Sequence, residues 1–72
     1  MKKVYFITDY VIAKGKRVRR YNFAHCYNKH IIGSTRQGYS RLADAEKTYN
    51  NNFKPGAKRF DVTRQEFKAL FD

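Results

Sequence analysis

Two adjacent runs of β-branched and aromatic residues constrain this chain more than anything else in it. Residues 4–13 (VYFITDYVIA) and 17–27 (RVRRYNFAHCY) contain neither Gly nor Pro, and Lys14-Gly15-Lys16 separates them. Such composition favours extended backbone, and a Gly between two such runs supplies a tight turn. The expectation is a β-hairpin. Asn28-Lys29-His30 offers a second turn, and residues 31–35 (IIGST) a brief third strand.

The character changes at Ser40. Residues 40–49 are good helix formers with acids toward the start and the Ser40 hydroxyl at the expected N-cap. Leu42, Ala45, Tyr49 and Phe53 fall at helical spacing and form one apolar stripe. Asn50-Asn51-Asn52 is poor helix material and is expected to fray the end, and Pro55-Gly56 marks a turn. Residues 58–62 read as a short extended segment. Thr63-Arg64-Gln65-Glu66 then matches a capping box, in which a Thr hydroxyl and a Glu carboxylate satisfy the free N–H groups of a helix start. The last helix, residues 64–71, should dock through Phe67, Leu70 and Phe71. The fold class expected is α+β: a three-stranded antiparallel sheet packed against one helix (β-β-β-α), with a short C-terminal extended segment and helix, all in one domain of 72 residues.

Charge decides what such a domain could do. Sixteen Lys and Arg against six Asp and Glu leave a formal charge of +10. A stable fold does not need that excess, which repels itself in the compact state and attracts nucleic acid, anionic membrane or acidic protein surfaces. No apolar run approaches the roughly 20 residues that span a bilayer, and no basic amphipathic helix suits a membrane surface. A lone cysteine, Cys26, excludes an internal disulfide and fits a reducing cytoplasm.

Catalysis finds little support. His25, Cys26 and His30 are too few for a zinc site, which generally takes four ligands, and no other Cys or His exists in the chain. Cys26 reads instead as a small buried residue. Asp9, Asp44, Glu46, Asp61, Glu66 and Asp72 show no paired pattern for acid–base work and fit caps and helix-face pairs. Gly33 and Gly38 do not form a phosphate loop. The chain is therefore expected to be no enzyme and to need no cofactor or metal.

The candidate binding residues are Lys14, Lys16, Arg17, Arg19 and Arg20 around the first turn, with Lys29 and Arg36 further on. In a strand, Arg17, Arg19, Tyr21, Phe23, His25 and Tyr27 share one face, and Val18, Arg20, Asn22, Ala24 and Cys26 the other. A sheet covered by one helix leaves its second face open. Such a face would meet phosphates with arginines, stack unpaired bases, or lie in a duplex groove. Tyr21, Phe23 and Tyr27 can alternatively be the core face beneath the helix, and we take them so, keeping the basic cluster for binding. The function expected is a small nucleic-acid-binding accessory protein of the kind phages and mobile elements encode, with DNA favoured over RNA. The alternative is a phage-type inhibitor or adaptor that binds an acidic surface of a host protein such as a nucleic-acid enzyme. Either would act as a monomer or small homo-oligomer.

Two resemblances meet in the middle of the chain. Ile31-Ile32-Gly33-Ser34, followed by Gly38-Tyr39-Ser40 and Ala43-Asp44-Ala45-Glu46, resembles the small YegP-like domains, and this implies the fold rather than an activity. Gly15-Lys16, Arg20-Tyr21 and Gly38-Tyr39 running into Asp44-Ala45-Glu46 is similar to the arm-binding N-terminal domains of tyrosine-type phage integrases. Those domains are β-β-β-α and lay the sheet in the major groove. That resemblance implies that Arg17, Arg19 and Arg20 face DNA.

Overall fold

The computed structural model describes residues 2–35, 38–53 and 56–71. Strands β1 (Lys2–Ala13), β2 (Lys16–Tyr27) and β3 (His30–Ser34) are followed by helix α1 (Leu42–Asn52), strand β4 (Lys58–Thr63) and helix α2 (Arg64–Phe71). The expected hairpin is present, with Lys2 opposite Tyr27 at one end and Ala13 opposite Lys16 at the other. Its turn is two residues, Lys14 and Gly15, with φ of 51° and 76°. Positive φ at both positions is the type I′ pattern, whose twist matches that of the flanking strands.

The sheet differs from the expected three antiparallel strands. It has four, in the order β3-β2-β1-β4, and β4 lies parallel to β1 from Lys3 beside Lys58 to Thr8 beside Thr63. The segment expected to be a mere extension thus completes a mixed sheet. No local turn announces a parallel pairing, because it joins residues more than fifty positions apart.

Both faces of this sheet are covered, which corrects the expectation of one open face. On one side α1 packs Ala45 and Tyr49 onto Val4, Phe6 and Phe23, with Leu42 and Phe53 extending the same stripe. On the other side Phe67 of α2 packs onto Tyr5, Ile7, Ala24 and Cys26. Consecutive residues 4–7 and 22–26 are consequently all buried. A strand with helices above and below loses the in–out alternation of a one-sided sheet.

The helix termini follow their local chemistry. At α2 the capping box closes in both directions: the Thr63 N–H donates to Glu66 Oε1 at 3.0 Å, and the Glu66 N–H donates to Thr63 Oγ1 at 3.2 Å. Phe67 is buried and Phe71 half-buried, whereas Leu70 is 53 % exposed and does not dock as expected. At α1 the N-cap is Arg41, without a side-chain cap, rather than Ser40. Tyr39 is still held at the sheet edge by paired backbone hydrogen bonds with Tyr21 of 2.7 and 2.8 Å, so the chain turns into the helix only afterwards. The asparagine run does not fray. It stays helical to Asn52, whose Nδ2 donates to the Thr48 carbonyl, while the Tyr49 and Phe53 rings stack at 5.2 Å.

Candidate nucleic-acid interface

The two long strands outrun their neighbours. β4 leaves β1 after Thr8, and β3 pairs β2 only from Ala24 to Tyr27, with the Tyr21–Tyr39 bridge as a last tie. Residues 9–13 and 16–20 therefore form a two-stranded arm about 17 Å long, at about 3.3 Å per residue. The arm contributes to an elongated shape of 40 × 29 × 16 Å. At its root, Arg64 Nε of α2 donates to Asp9 Oδ2 at 3.0 Å and braces the arm against the body.

Lys14, Lys16, Arg17, Arg19 and Arg20 all lie on this arm, Lys14 in the turn and the others on β2. The register puts Tyr10 opposite Arg19 and Ile12 opposite Arg17 on the α1 side, and Val11 opposite Val18 and Ala13 opposite Lys16 on the α2 side. Residues 10–20 contain five cations and no carboxylate. The three ion pairs among the described residues all use Arg59 or Arg64, so none of the arm's cations pairs with an acid there.

Tyr10 organises the guanidinium groups. Arg17 lies over its ring at 4.4 Å, and Arg19 donates to its hydroxyl at 3.2 Å. The Arg19 hydrogen bond, followed by that residue's charge, holds the phenol below its ordinary range. Two long cationic side chains are thereby kept on one face of a ribbon, which lowers the entropy lost on meeting an anion. The arm's cations are not stacked beneath an uncovered aromatic platform, because the Tyr10 ring face carries Arg17.

Other expected contributors lie elsewhere. Lys29 sits in the turn between β2 and β3, at the opposite end of the sheet and roughly 36 Å of strand from Lys16. It does not join the arm cluster. Arg36 lies outside the described residues. Phe23 is core, as expected, but Tyr21 only borders that core and Tyr27 is 48 % exposed. Sequence reasoning missed Tyr10, whose pairing with Arg17 and Arg19 becomes visible only once the register is known.

On the body, Lys3 and Lys58 lie side by side with their ammonium groups 5.9 and 5.4 Å from the Phe60 ring centroid. A hollow of about 220 Å³ lies between α1 and β4, floored by Val4 and Phe6 and rimmed by Glu46 and Arg59. Arg59 bonds to Glu46 and Asp61, so its charge is spent within the protein. Cys26 is fully buried, and burial pushes its thiol up. His25 is 5 % exposed, lies 4.5 Å from Phe53 by ring centroids, and neither ring nitrogen meets a hydrogen-bond partner among the described residues. Among those residues no group of three or more His, Cys, Asp or Glu could hold a metal, and no helix is long and apolar enough to cross a membrane. Comparison with known protein families, curated proteins and solved structures finds no match.

Proposed function

We propose that this protein binds nucleic acid, with duplex DNA as the preferred form, by placing its β1–β2 arm in a groove. The observation that carries the reading is an arm that outruns β3 and β4 and whose outer part, residues 10–20, holds five cations and no carboxylate. A two-stranded β-ribbon can enter a duplex groove, major or minor. Cations on both of its faces suit a channel walled by phosphates on either side. A single-strand binder would instead want free aromatic faces for stacking, and the Tyr10 face is occupied.

The test is the salt dependence of duplex affinity. If the five arm cations each neutralise one phosphate, log affinity falls with log salt at a slope of about −4 to −5. Changing Arg17, Arg19 and Arg20 together to Ala removes three contacts and brings the slope to about −2, with circular dichroism and melting temperature nearly unchanged. Salt-independent binding, or no binding near ~50 mM salt, overturns the proposal. A stoichiometric protein partner captured after nuclease treatment would instead favour an acidic protein surface as the target.

A further inference from the structure

The arm is asymmetric across its width in a way that its charge alone does not explain. Its β2 strand carries Lys16, Arg17, Arg19 and Arg20, whereas its β1 strand past Asp9 reads Tyr10, Val11, Ile12, Ala13 and has no charge at all. Tyr10, Val11 and Ile12 are 45 %, 38 % and 73 % exposed, and Ile12 is the most exposed large hydrophobic side chain among the described residues. No strand covers this edge, since β4 ends beside Thr8. An arm with one basic edge and one apolar edge would track phosphates with the first and present the second to something dry.

Within a duplex the dry surface is the face of a base pair. From the minor groove, apolar side chains such as Ile enter base steps, unstack them and kink the helix, and the bent duplex then wraps more of the protein. Ile12 has the features this requires. It lies two residues from the arm's tip, projects directly opposite Arg17, and is β-branched, so its χ1 is stiff. Resting on the duplex reading above, we infer that Ile12 is an apolar wedge that opens one base step and bends the bound DNA. Arg17 and Arg19, held on Tyr10, anchor the neighbouring phosphates and fix the depth of insertion.

The probe is a duplex of alternating T-A steps, which kink readily, so that every register offers the arm a flexible step. It carries 2-aminopurine in place of some adenines and a dye pair at its ends. With the intact protein, 2-aminopurine fluorescence rises several-fold and energy transfer between the ends increases. Ile12→Thr keeps a β-branched residue in the strand and loses both signals while retaining the salt slope, and Ile12→Leu keeps them. Binding with the expected salt slope but neither signal overturns the wedge and leaves groove binding intact, as does persistence of both signals in Ile12→Thr. If the intact protein does not bind this duplex near ~50 mM salt, the duplex reading and the wedge fall together.

Discussion

Phe67→Ala tests the two-sided construction of the sheet. Phe67 is 7 % exposed and packs among Tyr5, Ile7, Ala24 and Cys26. Its ring meets Tyr5 edge-on at 5.5 Å and Phe71 at 4.7 Å. Truncating a buried Phe to Ala costs about 3–5 kcal/mol, from lost transfer energy and the cavity left behind. The lost aromatic pairs, worth about 0.5–1.5 kcal/mol each, favour the upper part of that range. A chain of 72 residues has only about 4–11 kcal/mol of stability in all. The variant should therefore lose much of its stability and, at about 4–8 °C per kcal/mol, melt at least ~12 °C lower. Leu70→Ala supplies the control from the same helix, because Leu70 is 53 % exposed and its loss should cost about 0.5 kcal/mol or less. Denaturant unfolding followed by circular dichroism measures both. Equal costs for the two variants, or a Phe67→Ala cost under about 1 kcal/mol, would refute the claim that α2 closes the second face.

Two other perturbations have equally direct readouts. Burial, and secondarily the charge of Lys2, lowers the His25 pKa below the ordinary 6.5. The unfolded chain then binds a proton that the folded one excludes, so stability is full above about pH 6.5 and falls as pH drops toward the folded value. Chemical unfolding at a series of pH values should show this decline, and His25→Phe should abolish it without loss of stability at neutral pH, since two unpartnered ring nitrogens are removed. Thr63→Ala opens the capping box and should cost about 0.5–2 kcal/mol in the same denaturant assay, with α2 amides exchanging faster.

Local features of the fold were readable because each is dictated by neighbours in the chain. The Lys14-Gly15 turn, the Thr63–Glu66 capping box and the Leu42, Ala45, Tyr49, Phe53 stripe are cases where short-range chemistry determines the outcome. The parallel docking of β4 was not readable, because nothing near Lys58 signals a partner at Lys3. One available sign was overlooked: Val4-Tyr5-Phe6-Ile7 is an unbroken apolar run, the mark of a strand covered on both faces, and it pointed to a second helix over the sheet. The basic cluster was visible in the sequence as a list of residues. Its confinement to a projecting arm, the exclusion of Lys29 and the participation of Tyr10 depended on where neighbouring strands end, which no local pattern encodes.

The central claim is that the arm, rather than the body, is the binding element. Titrating isotopically labelled protein with a short DNA duplex and following every backbone amide by NMR tests it most directly. Shifts should concentrate in residues 10–20 and spare Lys29, β3 and the exposed side of α1. Shifts centred on Lys29 or α2, or spread evenly over the surface, would contradict the account.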